Sequence, residues 1–166
     1  MDLKLIEGEV KVLGDNIDTD VILPGRYLIY TDPEELGKHA LEGLDPDLPT
    51  QLKGKIIVAG RNFGCGSSRE HAVLALIGAG VKAIVAESFA RIFYRNSINR
   101  GLLVIEAPGI KDKVKDGDKI VIDLERSCIS LPSGECFHFR PIGEEVIQII
   151  EMGGLIEKLK RELGLM

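Results

Sequence analysis

A chain of 166 residues, 45% hydrophobic and 28% charged, is long enough for one well-buried core and short for two, so a single domain over residues 1–166 is expected. Its formal net charge of -5, with no sustained Lys/Arg block, speaks against a nucleic-acid partner, and no apolar run reaches the length of a membrane span. The opening MDLKLIEGEV lacks the apolar core of a signal peptide, which points to the cytoplasm and to a small molecule or another protein as the partner.

In chain order, Glu9 to Leu13 alternates polar and apolar residues as a half-buried strand does, and Gly14-Asp15-Asn16 ends it with turn chemistry. Residues 15–36 then bring Asp18-Thr19-Asp20, an apolar run at 21–23 that reads as a short strand, and a Pro24-Gly25 break before Arg26-Tyr27-Leu28-Ile29-Tyr30. A long segment without a clear period that holds charged, aromatic and hinge residues together reads either as an ordinary surface loop or as a binding loop or lid. Asp32 followed by Pro33 marks the start of a short helix, on which His39 reads as a solvated surface residue.

Lys55 to Val58 is a buried strand, and it runs into AGRNFGCGSSREHAVLALIGAG at 59–80, a glycine-rich turn leading to a buried helix. Ser67 and Glu70 have capping-box spacing, which makes Ser67 the expected N-cap of that helix. Val81 to Ala86 follows as a second buried strand, and strand, helix, strand makes a parallel βαβ unit. Ser88 is expected to cap a further helix through Ile98, with Phe89, Ile92 and Phe93 buried. Arg91, Arg95 and Arg100 read as a solvated face or as a rim that attracts carboxylates.

From Leu102 on the pattern is β, at 103–105, 118–124, 127–131 and 135–139, the last two joined by a Pro-Ser-Gly turn that puts Ile129, Leu131, Phe137 and Phe139 on one face. Cys128 and Cys136 fall diagonally across this hairpin, near the upper limit of disulfide reach, so reduced thiols are expected; richness in Ile, Glu and Lys would suit a thermophile, where bridges are less unusual. With Cys65 they are too few and too scattered for a metal-ligand set. The chain ends in helix from Glu144 to Met152 and, after Gly153-Gly154, to about Leu163.

The chemistry concentrates at 60–70. Glycines at 60, 64 and 66 allow positive φ and close backbone approach, which suits a small anionic ligand at a helix start. Arg69 in the first turn would oppose the helix dipole and so calls for an anionic partner. No histidine is placed to activate Ser67 and no Gly-x-Ser-x-Gly elbow is present, so a hydrolase triad is unsupported. Residue pattern alone ends at an anion-binding βα unit.

Three blocks extend this. GRNFGCGSSREHA at 60–72, DNIDTDVILPGRYL at 15–28 and ESFARIFYRNSINRGLLVI at 87–105 closely resemble the small subunits of the isopropylmalate isomerase and homoaconitase branch of the aconitase superfamily, in family order over nearly the whole chain. The resemblance implies an α/β fold, the swivelling β/β/α three-layer domain that corresponds to the last domain of aconitase. It also implies half of an active site, completed by a large subunit that carries a four-iron, four-sulfur cluster, with no cofactor in this chain. By that likeness Ser67 is the general base, Asp20 lies at the site, and Ser68 and Arg69 bind a carboxylate of a hydroxy-dicarboxylate substrate.

Selectivity would rest with Leu28, Ile29 and Tyr30, where relatives that take a third carboxylate resemble one another in having an arginine. Its absence here favours isopropylmalate over homocitrate, with citraconate a possible second substrate. The implied activity is a hydro-lyase step of leucine biosynthesis, with a homoaconitase or broad-range isomerase as the alternative. A non-catalytic binding domain, with Ser67 only capping its helix, is the rival of another class, and the isolated chain is a possible homo-oligomer.

Overall fold

A computed structural model of the protein describes residues 5–67 and 69–164. Its centre is a seven-stranded mixed sheet in the order β4-β3-β2-β1-β5-β6-β7. One half is parallel: β1 (Leu5–Val12) pairs with β2 (Lys55–Ala59), β2 with β3 (Ala83–Ala86), and β3 with β4 (Leu103–Glu106). The other half is antiparallel, running from β1 to β5 (Lys119–Asp123), β6 (Cys128–Ser130) and β7 (Cys136–His138).

The two halves follow from their residue patterns. Strands β2 and β3 are apolar and buried almost throughout, as strands covered on both faces must be, whereas β1 and β5 alternate buried and exposed positions. The helices that cover the parallel half are α3 (Glu70–Gly78) and α4 (Arg91–Asn99), the crossovers between its strands. Two short helices, α1 (Thr19–Ile22) and α2 (Pro33–Gly37), pack on α3, and Gly37 meets Gly78 so closely that a side chain at either would strike backbone. The chain closes with α5 (Glu144–Glu151) and α6 (Leu155–Glu162), whose Ile156 and Leu159 stay exposed.

Several expectations need correction. Residues 19–22 form one helical turn instead of a strand at 21–23, because Asp18 accepts a hydrogen bond from Val21 N at 2.8 Å and caps it. Ser67 does not cap α3. The helix begins only at Glu70, with extended Arg69 at its N-cap position and no side-chain cap.

Ser88 does not cap α4 either; its hydroxyl accepts from Asn62 N at 2.8 Å, and Ala90 precedes the helix. Ile92 is 52% exposed, while Phe93 is buried. Cys128 and Cys136 form a disulfide, with Cα atoms 5.7 Å apart. They are diagonal, as the Cys128–His138 and Ser130–Cys136 register requires, and this edge holds that diagonal well inside bonding reach.

Candidate active site

The glycine-rich turn between β2 and α3 is held by main-chain hydrogen bonds from both sides. On one side the 16–19 segment is laced to it: Asn16 N donates to Arg61 O at 2.8 Å, Gly64 N to Ile17 O at 2.8 Å, and Thr19 N to Cys65 O at 2.8 Å. On the other, Phe63 N donates to Ser88 O at 3.1 Å and Ala90 N to Phe63 O at 2.9 Å. Gly64 takes φ +81, and a Cβ there would collide with the Phe93 ring, so the turn can lie against α4 only with glycine at this position. Phe63 locks the arrangement from below, edge-on to Phe93 at 5.3 Å and to Phe89 at 6.1 Å.

This scaffold presents a cleft of about 210 Å³ lined by Thr19, Gly66, Ser67, Arg69, Arg91, Ile92 and Asn96 among others. Ser67 is exposed at its mouth, with Thr19 Oγ1 3.3 Å from its Oγ. Arg69 is half-buried, and its Nη1 donates to Asp20 Oδ1 at 2.6 Å. The anionic partner that Arg69 calls for is thus supplied by the chain itself, and Arg69 sits at the N-cap rather than inside the first turn. Glu70 occupies the first turn and pairs with Arg100 Nη2 at 2.6 Å. Asp20, Ser67 and Arg69 therefore converge on one mouth, while Ser68 lies outside the described residues.

Sequence reasoning missed Thr19 and the contribution of α4. Thr19 is 2% exposed, and its one signal was its position between two aspartates. Arg91 and Asn96 reach the cleft from the helix whose arginines read equally well as a solvated face. A larger groove of about 750 Å³ shares Arg91 but contains none of Ser67, Arg69 or Asp20, so size does not mark the site here.

The segment 25–30 starts at the same mouth. A methyl group added to Gly25 would lie 3.6 Å from Arg69 Nη1. From there the chain turns through Tyr27, which stacks on His39 with ring centroids 3.6 Å apart and planes 8° from parallel. His39 is therefore half-buried beneath an aromatic, not a free surface residue. Arg26 lies over the Tyr27 ring at 4.7 Å, with its Nη2 3.6 Å from Glu42 Oε2.

The Tyr27 hydroxyl, and after it His39 and Arg26, hold the Glu42 carboxyl below its ordinary range against an opposing push from burial. Glu42 Oε2 and His39 Nδ1 are 3.5 Å apart and lack hydrogen-bond geometry, so their contact is electrostatic. Of the residues expected to govern selectivity, Leu28 packs against the core while Ile29 is 80% exposed and Tyr30 36%.

Residues 15–109 match the aconitase C-terminal domain. The chain belongs to the aconitase C-terminal domain family. It is 55% identical to the 3-isopropylmalate dehydratase small subunit of Pyrobaculum aerophilum over 93% of this chain and 97% of that protein. It is 52% identical to the isopropylmalate/citramalate isomerase small subunit of Methanocaldococcus jannaschii over 96% of each.

The crystal structure of 3-isopropylmalate dehydratase from Methanocaldococcus jannaschii superimposes with a TM-score of 0.90 at 45% identity, covering 97% of this chain and 96% of that one. Aconitase X from Thermococcus kodakaraensis, with a TM-score of 0.53 at 24% identity over 82% of this chain and 91% of that one, shares the fold. The aconitase-type α/β domain read from the three sequence blocks is thus the fold of this family member.

Proposed function

We propose that the chain is the small subunit of a 3-isopropylmalate dehydratase, a lyase that interconverts 2-isopropylmalate and 3-isopropylmalate by dehydration and rehydration in leucine biosynthesis. Identity of 55% to a small subunit of that name, over nearly the full length of both chains, carries the reading. The meeting of Ser67 and Arg69 in one cleft, with Asp20 bonded to Arg69, supports it. Ser67 does not cap α3, so the purely structural role that its spacing suggested is withdrawn.

In this reading the substrate carboxylate lies against Arg69. Asp20 holds one guanidinium nitrogen at 2.6 Å, and the other donors of Arg69, which lines the cleft, remain for the carboxylate. Ser67 Oγ accepts the proton from the carbon beside that carboxylate and returns it on rehydration. Ala90, Ile92 and Phe93 form the apolar wall of the cleft.

The described residues do not fit an iron–sulfur cluster. Cys128 and Cys136 are bonded to each other, and among the described residues no group of three or more His, Cys, Asp or Glu is placed to hold a metal. The Lewis acid for the leaving hydroxyl belongs, in this proposal, to a four-iron, four-sulfur cluster on a cytoplasmic large subunit. No helix among the described residues is long and apolar enough to cross a membrane.

A second reading has one observation in its favour: the Methanocaldococcus jannaschii relative is named for both isopropylmalate and citramalate. A methyl-bearing acid such as citraconate makes smaller demands on the same apolar wall, and pockets separate such groups only weakly. The test is to reconstitute the chain with a cluster-loaded large subunit and assay isopropylmalate, citraconate and homocitrate side by side. Turnover of isopropylmalate by the complex, with none by the isolated chain and little on homocitrate, is the expected result. A complex that prefers homocitrate, or an isolated chain that turns over, overturns the proposal.

A further inference from the structure

The buried hydroxyl of Thr19 has a second possible acceptor in its reach. Thr19 is fixed by its own backbone, with N donating to Cys65 O at 2.8 Å and O accepting from Leu23 N at 2.9 Å. Its Oγ1 donates to Ser67 O at 3.0 Å and stands 3.3 Å from Ser67 Oγ. Ser67 O has another donor, Arg69 N, also at 3.0 Å. A carbonyl with two donors keeps one when the other turns away, so the Thr19 proton can leave it without orphaning a buried acceptor.

We infer that Thr19 is a positioning residue for Ser67, a hydroxyl that donates to the Ser67 carbonyl while Ser67 is protonated and turns to its Oγ when that oxygen carries negative charge. The inference rests on the reading of Ser67 as proton acceptor. A hydrogen bond made to the charged form favours that form, which is what a serine, otherwise a very weak acid, requires. Such charge-assisted O–H···O bonds close to about 2.5–2.7 Å, a short rotation of the exposed Ser67 side chain from its present place.

Gly66 keeps the space open. A Cβ there would stand 3.3 Å from Thr19 Oγ1, tight against the hydroxyl that has to turn. The proton balance is simple: the substrate C–H bond breaks as the Ser67 O–H bond forms, the electron pair stays with the substrate, and Thr19 keeps its own proton throughout. Thr19 then swings back to the carbonyl.

The experiment uses the reconstituted complex carrying Thr19→Val, Thr19→Ser or Ser67→Ala, with kcat, KM and the pH profile as readouts. Thr19→Val is expected to lower kcat about 100-fold with little change in KM. It should also move the pH at which activity rises upward, while Thr19→Ser keeps both near the parent values. Thr19→Ala takes the place of the valine variant, with the same expectations, if the latter does not assemble.

Parent kcat and pH profile in the hydroxyl-free variant would overturn the inference. So would a serine variant as impaired as the valine one, since a role in packing predicts that result. Ser67→Ala separates the two levels: near-normal turnover there strikes the base assignment itself, whereas an inactive Ser67→Ala beside an unimpaired Thr19→Val strikes only the role of Thr19.

Discussion

The turn at 63–67 and the segment at 25–30 meet at one mouth and are built in opposite ways. The turn is fixed by main-chain hydrogen bonds on both flanks and by an aromatic floor, and its conformation depends on glycine at position 64. Segment 25–30 has one short helical turn, and its aromatic side chains hold it by stacking on His39, with Ile29 left 80% exposed. Chemistry that needs atoms placed to a fraction of an ångström belongs on the first kind of support, and selection among substrates, which tolerates adjustment, on the second.

The first way to break this comparison is at the fixed side. Ser67→Ala in the reconstituted complex should lower kcat by about 10²- to 10⁴-fold, the usual contribution of a general base. Because Ser67 is exposed, its melting temperature should stay close to the parent value. Turnover within a few-fold of the parent would remove Ser67 from the chemistry.

Gly64→Ala attacks the scaffold instead. The positive φ and the collision with Phe93 add, for a predicted loss of about 2–5 kcal/mol in a denaturation experiment. An alanine variant of parent stability would show that the turn is not fixed in the way described.

Asp20→Asn tests the link between fixed geometry and binding. The Asp20 side chain is 66% exposed, so its pair with Arg69 adds little to stability, well under about 1 kcal/mol. Its loss should appear as a higher KM, on the order of 10-fold, because Arg69 is no longer held in one direction before substrate arrives. A fall in kcat at constant KM would instead give Asp20 a part in the chemical step.

What the sequence made legible follows the same division. Strands β2 and β3 and helix α3 were readable because consecutive apolar residues bounded by glycine leave few alternatives. The turn was readable through its glycines, and Gly64 and Gly66 do take positive φ.

The misreadings came where a distant residue decides. Ser67 and Glu70 have the spacing of a cap, yet Arg69 is extended and reaches Asp20 while Ser67 lies by Thr19, contacts that bridge 49 and 48 positions of sequence. His39 looked solvated because Tyr27, which covers it, lies in another segment. Cys128 and Cys136 looked near the upper limit of disulfide reach on an average ladder, and this particular edge sets them 5.7 Å apart.

The adjustable side yields the smaller effects. Ile29→Arg places a guanidinium on the exposed segment beside the mouth, and it should move the ratio of homocitrate to isopropylmalate turnover by about 10-fold or more. Its exposure predicts a stability change within about 0.5 kcal/mol. An unchanged ratio would move the selector away from residues 28–30.

Glu42, which anchors the stack beneath that loop, is the finest probe. Its carboxyl is held low chiefly by the Tyr27 hydroxyl, so it binds a proton less readily folded than unfolded. A depressed carboxyl stabilises the fold above its unfolded pKa of about 4.3 and loses that contribution as pH falls through the lower folded value. Glu42→Gln keeps the shape and the acceptor oxygen but removes the titration.

The melting temperature of Glu42→Gln should therefore lie below the parent's at about pH 6 and approach it as pH drops toward about 3. A gap that stays constant across this range would assign the role of Glu42 to packing. Loss of the carboxylate should also raise KM before it lowers kcat, since the stack it supports opens at the mouth beside Gly25 and not on the turn that carries Ser67.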